Sequence, residues 1–117
     1  MNNSHEFPRC GEVWIANFSP TIGREQSGVR MCVIVSVDRF NKSPAELVFA
    51  CPTTTTKREI PTHVEILPPE GGLPKISYVK CEDLKSISKI RLQKRLGVVS
   101  DTTLNKIRER IKFLMGL

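Results

Sequence analysis

The 117-residue sequence lacks several features that would each indicate a particular class of protein. Its apolar runs are all much shorter than the ~20 residues of a membrane-spanning helix, so no membrane partner is expected. Residues 1–6 contain neither a basic nor an apolar region, which predicts no secretory signal and a cytoplasmic protein. Internal repeats and long linkers are also lacking. The sequence therefore predicts one domain over residues 1–117, with a loose tail over residues 1–9.

Patterns that bind metal ions are lacking as well. The two histidines, His5 and His63, fit no zinc spacing, and the four cysteines contain no Cys-x-x-Cys pair. Cys32, Cys51 and Cys81 lie in or beside apolar stretches, so we predict that they are small buried hydrophobic residues in a reducing compartment. We expect neither a metal nor a cofactor.

Positive charge is present and is concentrated near the carboxyl terminus. Residues 75–117 carry 11 Lys and Arg against 4 Asp and Glu, whereas residues 1–74 carry 7 against 8. This asymmetry is typical of a protein with a polyanionic partner, such as RNA, DNA or an acidic protein segment. A solvated basic helix face that serves solubility is the alternative interpretation.

Alternating and continuous apolar runs predict five to seven short strands followed by one helix. The predicted strands cover residues 12–18, 30–37, 46–51, 62–67 and 76–87, the last as one long strand or two short ones. Pro52 marks the end of the third strand or a bulge, and residues 53–60 form a polar connection. Single helical turns are expected within residues 38–44 and 89–92.

The last element is the clearest helix in the sequence. Leu104, Ile107, Ile111 and Leu114 recur at helical spacing and form one apolar stripe. Ser100 is a good N-cap, and a glycine at position 116 ends the pattern. The order of elements predicts a mostly β or α+β fold, with a compact, strongly twisted sheet or small barrel and a carboxyl-terminal helix.

Residues 20–37 offer the most specific chemistry. A polar stretch bounded by Gly23 and Gly28 runs into a β-forming segment headed by Arg30. A planar guanidinium beside a flexible loop suits the binding of a phosphate group. With no metal site and no Ser/His/Asp constellation, one available reaction is cleavage of RNA by its own 2′-hydroxyl, which needs a base and a group that stabilises charge on phosphorus.

Arg30 suits charge stabilisation in that reaction, and either Glu25 or Glu82 suits the base. The threonines at positions 53–56 offer hydroxyl donors where a strand ends. The alternative is purely structural: Arg30 as a strand-edge ion-pair residue, Glu25 as a solvated loop acid, and the threonines as β-formers. The pattern alone does not separate these interpretations.

Six segments in order resemble a known family. They are Gly11-Glu12-Val13-Trp14; Gly23-x-Glu25-Gln26-x-Gly28-x-Arg30; Pro52-x-Thr54-x-Thr56; Pro61-Thr62-His63-Val64; Gly72-Leu73-Pro74-Lys75-x-Ser77-Tyr78-Val79; and Arg95-Leu96-Gly97, with Leu117 closing the helix after Gly116. Each segment is a weak signal, but their combined order and spacing are specific. Over residues 9–117 the sequence resembles the MazF/PemK-type toxins of bacterial toxin–antitoxin systems.

The resemblance implies an SH3-like, CcdB/MazF-like barrel that works as a homodimer. It also implies a metal-independent endoribonuclease that cuts single-stranded RNA or mRNA at a short sequence, leaving 2′,3′-cyclic phosphate and 5′-hydroxyl ends, and an acidic antitoxin as partner. The family's catalytic arginine falls on Arg30 and its catalytic threonine on Thr54, with Thr53 as the neighbour most easily confused with it. The mobile loop of the family matches the segment that contains Glu25. In one branch of the family, an acid–base segment matches Lys80, Cys81 and Glu82.

Eight residues are expected to contact the RNA. They are Gln26, Gly28, Thr53, Thr56, Lys57, Arg58, Lys80 and Lys85. His63 belongs to a structural motif of the family, and Trp14 is assigned to the core or the dimer interface.

Two alternatives remain: a CcdB-like poison of DNA gyrase that cuts nothing, and an inactive homologue that binds RNA or antitoxin. The basic 108–112 segment keeps the first open. Departures from the family pattern at Cys10, Met31, Glu82 and Lys85 keep the second open.

Overall fold

A computed structural model of the chain describes residues 7–19 and 28–117. Within them lie seven strands: β1 (Glu12–Asn17), β2 (Val29–Ile34), β3 (Leu47–Thr54), β4 (His63–Ile66), β5 (Ser77–Lys80), β6 (Lys85–Ser88) and β7 (Leu92–Val98). The helices are α1 (Asp38–Asn41) and α2 (Asp101–Met115). Short 3-10 turns occupy Glu70–Gly72, Cys81–Asp83 and Lys89–Arg91.

The strands form one antiparallel sheet with the order β4-β5-β3-β2-β1-β7, and β6 pairs with β3 beside this path. The first half of β3 pairs with β6 and its last two residues pair with β5, so this long strand serves two different neighbours. The sheet is not closed into a ring by its hydrogen bonds. The twisted, barrel-like sheet with a carboxyl-terminal helix confirms the predicted fold class.

Two predicted details differ from the structure. β3 does not end at Pro52 but continues through Thr54, because Pro52 falls between the β6-paired and β5-paired parts of the strand, where a missing N–H breaks no ladder bond on that side. β7 was not predicted as a strand at all. Most of its residues are at least partly exposed and it contains Gly97, so the alternation that marks a strand is weak.

Apolar side chains from the two faces of the sheet form two clusters. The first is centred on Val13, Val33, Val79 and Ile107, and the second on Phe18, Ile34, Val48 and Ile87. Helix α2 packs against the first cluster through Leu104 and Ile107. Cys32, Cys51 and Cys81 are all buried in these clusters, as predicted.

The ends of α2 follow the predicted capping. The Ser100 hydroxyl accepts a hydrogen bond from the Thr103 backbone N–H at 3.1 Å, and Gly116 ends the helix with a φ of +72°. The apolar stripe is covered only in its first half, because Leu104 is buried whereas Leu114 is 42% exposed. Neither helix of the described part of the chain is long and apolar enough to cross a membrane.

A buried carboxylate joins β1 to β7. Glu12 accepts hydrogen bonds from Arg95 Nε at 2.7 Å, from Trp14 Nε1 at 2.9 Å and from the Arg9 backbone N–H at 2.9 Å. Of the segment expected as a loose tail, the structure describes residues 7–9. There Pro8 is buried and Arg9 is held by this carboxylate and by Asp38.

Candidate active site

Arg30 and Thr54 lie on two neighbouring strands, near the start of β2 and at the end of β3. The ladder between these strands ends with the pair Cys32 and Pro52. Arg30 comes two residues before this last pair in β2, and Thr54 comes two residues after it in β3. Both residues belong to the lining of one cavity.

A cavity of about 430 Å³ opens at this end of the sheet. Its lining residues are Ile15, Val29, Arg30, Met31, Thr53, Thr54, Thr55, Thr56 and Ser77. Arg30 is exposed, and no acidic residue of 7–19 or 28–117 forms an ion pair with its guanidinium. Within the described chain, this cation is available to an anionic ligand in the cavity.

The two adjacent threonines have different hydrogen-bond roles. Thr53 is buried, and its hydroxyl donates to the Met31 carbonyl at 3.0 Å, which ties the end of β3 to β2. The hydroxyl oxygen of Thr54 instead accepts from the Thr56 backbone N–H at 3.1 Å. That contact fixes the position of the Thr54 oxygen while its proton can still be donated to a ligand.

Gly28, which comes directly before the cavity residue Val29, is joined to Phe18 and Ser19 by hydrogen bonds. The Phe18 backbone N–H donates to the Gly28 carbonyl at 2.9 Å, and the Gly28 N–H donates to the Ser19 hydroxyl at 2.9 Å. Gly28 has a φ of +76°, a conformation that a glycine adopts without strain. The predicted site residues Glu25 and Gln26 lie outside the described residues.

Three further predicted residues follow the cavity along the chain. Thr56 lines it, and Lys57 and Arg58 come directly after, on the exposed surface. Lys57 Nζ is 4.0 Å from Glu59 Oε2, but both side chains are strongly exposed, so this pair holds the lysine only weakly.

Glu82 lies elsewhere. It is not among the residues that line the cavity, and its carboxylate is bound by the Thr62 hydroxyl and by His63 Nε2, each at 2.8 Å. Partial burial would raise the pKa of Glu82, but the hydrogen bonds from Thr62, the backbone and His63 outweigh burial and lower it below its ordinary value of 4.5. Glu82 is therefore held as a structural anion, and His63 is buried beside it.

The two remaining lysines are also outside the lining. Lys80 Nζ is 3.0 Å from Asp83 Oδ2, within the same turn. Lys85 is directly opposite Ala50 in the β3–β6 ladder, and its ammonium lies 5.7 Å from the ring centroid of Phe18. Neither residue is brought next to Arg30 by the fold.

Sequence reasoning did not single out several cavity residues. Ile15, Val29 and Ser77 come from three different strands, and only the register between strands brings them together. Thr55 belongs to the run of threonines that was predicted to offer hydroxyl donors. Ser77 is part of a family segment, and no functional role was predicted for it. Among residues 7–19 and 28–117, no group of three or more His, Cys, Asp or Glu side chains is arranged to hold a metal ion.

Comparison with known proteins gives a consistent family. Residues 9–115 match the family model for the PemK-like, MazF-like toxin of type II toxin–antitoxin systems. An Endoribonuclease MazF from Staphylococcus saprophyticus is 37% identical over 110 residues, which is 93% of this chain and 92% of the relative. These matches confirm the predicted family and the predicted class of enzyme.

Solved structures agree with this assignment. MazF (Form-I) from Deinococcus radiodurans superimposes with a TM-score of 0.84 at 26% identity, over 95% of this chain and 98% of that one. An endoribonuclease in complex with its cognate antitoxin, from a mycobacterial species, gives a TM-score of 0.78 at 30% identity, over 94% and 96%. The chain belongs to the PemK-like, MazF-like toxin family of type II toxin–antitoxin systems.

Proposed function

We propose that this toxin cleaves single-stranded RNA at a short sequence without a metal ion, by attack of the RNA's own 2′-hydroxyl on the adjacent phosphate. The presence of Arg30 and Thr54 together in the lining of one open cavity is the observation that supports this most. In such a reaction the substrate provides the nucleophile. The protein needs only a base, charge stabilisation at phosphorus and help for the leaving 5′-oxygen.

Arg30 and Thr54 have different roles in this reaction because their side chains bind phosphate oxygens differently. The guanidinium fork of Arg30 binds two phosphate oxygens and stabilises the charge that builds up on them in the transition state. The Thr54 hydroxyl, fixed through the Thr56 N–H, donates to a third oxygen. Because water is partly displaced from the cavity when RNA occupies it, both interactions strengthen there. The products are a 2′,3′-cyclic phosphate and a 5′-hydroxyl.

Glu25 is our proposed general base. It lies in the 20–27 segment, whose two ends meet at Ser19 and Gly28 beside the start of β2. Glu82 was the other candidate, but its two oxygens bind Thr62 and His63 and it does not line the cavity. We therefore assign Glu82 a supporting role in the fold and not a proton transfer.

The RNA strand is proposed to continue over the loop that follows β3. Lys57 and Arg58 are exposed cations placed immediately after the cavity residues, where they can bind backbone phosphates. Thr53 and Thr56 line the cavity, and Gln26 and Gly28 come just before its lining residues Val29 and Arg30 in the sequence, so we propose all four as further RNA contacts. Lys80 and Lys85 do not line the cavity, and we propose that they contact phosphates outside it.

An acidic antitoxin is the proposed protein partner. Residues 75–117 carry a large excess of positive charge, and Lys106, Arg108 and Lys112 are exposed along α2. An acidic, partly disordered segment laid across this surface gains electrostatic complementarity. A related endoribonuclease has been solved in complex with its cognate antitoxin.

A homodimer is the proposed assembly. The last turn of α2 exposes Phe113 by 77% and Met115 by 64%, and Leu117, which follows the helix, is 86% exposed. Clustered exposed apolar side chains of this kind are typical of a protein–protein interface. Sedimentation or light scattering on the purified protein measures this directly.

The function is tested by incubating purified protein with single-stranded RNA in excess EDTA and sequencing the 5′ ends of the fragments. We expect cuts at one short sequence, with 5′-hydroxyl ends and cyclic phosphates identified by mass spectrometry. Intact RNA under these conditions, with inhibition of DNA gyrase supercoiling instead, would overturn the proposal. RNA binding without turnover would overturn it as well.

A further inference from the structure

Cys51 and Cys81 belong to the same buried apolar cluster, and their thiols form a hydrogen bond with each other. Cys51 lies in β3, and Cys81 begins the 3-10 turn that follows β5, two residues beyond the β3–β5 pair of Thr53 with Val79. The Cys81 backbone N–H donates to the Thr62 carbonyl at 3.3 Å, which holds the start of this turn beside β4. Two thiols in hydrogen-bond contact need only a small movement to reach the geometry of a disulfide.

The two thiols interact with each other and become chemically different. Their shared hydrogen bond, together with burial, raises the pKa of Cys51 well above its ordinary value. The same hydrogen bond is the main cause that lowers the pKa of Cys81, and the nearby Arg110 guanidinium acts in the same direction. Because the thiolate is the reactive form of cysteine, these directions favour Cys81 as the nucleophile of the pair.

Cys81 is also adjacent to open space. It lines a groove of about 280 Å³ together with Glu82, Leu84, Ile111, Leu114 and Met115. Cys51 is fully buried and is not among the lining residues of that groove. A small oxidant in the groove therefore meets one sulfur first.

We propose that Cys51 and Cys81 are an oxidisable dithiol, which hydrogen peroxide converts into an intramolecular disulfide, with Cys81 as the thiol that attacks the peroxide and Cys51 as the resolving thiol. The Cys81 sulfur attacks one peroxide oxygen, the O–O bond breaks, and Cys81 becomes a sulfenic acid as water leaves. The Cys51 sulfur then attacks the Cys81 sulfur. The S–O bond breaks, the S–S bond forms, and the hydroxyl leaves as a second water with the Cys51 proton.

The other two cysteines lack this combination. Cys32 is fully buried on the opposite face of β2, and burial raises its pKa to about 12. Cys10 is half-buried, contacts Arg108 and the Val35 carbonyl, and has a pKa raised by burial. Both are matched controls within the same chain, one as a buried thiol and one as a more accessible thiol.

The disulfide is tested on the full chain by peptide mapping. Reduced protein is treated with hydrogen peroxide, free thiols are blocked with iodoacetamide, and the protein is digested with trypsin without reductant. The four cysteines fall on four different tryptic peptides, residues 10–24, 31–39, 43–57 and 81–85. We expect peptides 43–57 and 81–85 to be joined, the intact chain to lose the mass of two hydrogen atoms, and dithiothreitol to reverse both changes.

Variants then test the order of the two steps. In Cys51→Ala, dimedone should trap a sulfenic acid on peptide 81–85, whereas Cys32→Ala and Cys10→Ser should form the same disulfide as the natural chain. A link that involves peptide 10–24 or 31–39, a link between two chains, or oxidation at Cys81 without any link would overturn the proposal. If Cys51→Ala fails to fold, peptide mapping of the unaltered chain still tests whether the disulfide between Cys51 and Cys81 forms.

Discussion

The carboxylate of Glu82 and the buried imidazole of His63 form a contact of 2.8 Å between Oε2 and Nε2 at the protein surface. The other carboxylate oxygen binds the Thr62 hydroxyl, so this one side chain joins β4 to the 3-10 turn that follows β5. Glu82 is not among the lining residues of the cavity that contains Arg30. We therefore propose that Glu82 stabilises the fold and that Glu25 accepts the proton from RNA.

Glu82→Gln should therefore lower stability and leave cleavage intact. The lost charge weakens the bonds from Thr62 and His63 by ~1–2 kcal/mol at neutral pH, measured by urea unfolding. Because the pKa of Glu82 is lowered in the folded protein, its contribution is complete above the ordinary value of 4.5 and is lost as the pH falls through the folded value. The difference between natural and variant chains should therefore shrink in acid. A difference that grows in acid, or loss of RNA cleavage by folded variant, would contradict this assignment.

Removing the buried Glu12 carboxylate should be more damaging. Glu12→Ala leaves the Arg95 guanidinium, the Trp14 indole N–H and the Arg9 N–H without their common acceptor. We expect a loss of ~3–5 kcal/mol in the free energy of unfolding, typical of breaking one side of a buried ion pair. Glu65→Ala, on the exposed side of β4, is the control and should change stability little. Equal stability of the two variants would show that the β1–β7 contact does not depend on this carboxylate.

Gly97 is required by a close approach between backbones and not by its own dihedral angles. A Cβ at this position would lie 2.7 Å from the carbonyl carbon of Gly71 and 2.9 Å from the nitrogen of Gly72. Gly97→Ala should cost at least ~2 kcal/mol, because backbone atoms cannot move aside as side chains do. Gly116→Ala meets open space and should cost only ~1 kcal/mol, for its φ of +72°. Thermal unfolding of both variants checks this order, and the reverse order would be inconsistent with the packing of β7.

The two threonines at the end of β3 should respond in opposite ways to loss of their hydroxyls. Thr54→Val should reduce cleavage strongly with little change in stability, because its hydroxyl is placed toward the cavity. Thr53→Val should keep cleavage per folded molecule but lose ~1–2 kcal/mol, because its hydroxyl binds the Met31 carbonyl inside the protein. Thr102→Val, exposed on α2, is the control for both. Paired measurements of unfolding and RNA cleavage would contradict the assignment if the two variants exchanged their effects.

The sequence predicted the elements that carry strong local signals. Ser100 and Gly116 mark the ends of α2 by capping chemistry, and β1 and β4 have the alternation of half-buried strands. Strand β7, which was not predicted, has neither capping residues nor this alternation. Its charged residues are exposed, and register shifts interrupt its pairing with β1. The extension of β3 past Pro52 depends on a change of partner strand, which no local pattern records.

For the candidate site, individual residues were predictable and their arrangement was not. Arg30 was predicted from its sequence pattern and Thr54 by resemblance to a family, whereas their place in the lining of one cavity depends on the packing of β2 and β3, which only tertiary structure fixes. Glu82 was grouped with them because acidic residues suit a base. The side chain is instead bound by Thr62 and His63, which are distant in sequence.

The central claim is that the Arg30 guanidinium stabilises the phosphate during cleavage. The most direct test is the single-turnover rate of cleavage of a short single-stranded RNA by Arg30→Ala in EDTA, beside Arg39→Ala on the exposed side of α1. We predict that Arg30→Ala loses at least ~100-fold in rate, about 3 kcal/mol of transition-state stabilisation, while its unfolding curve and the rate of Arg39→Ala remain those of the natural chain. Full cleavage by folded Arg30→Ala would contradict it.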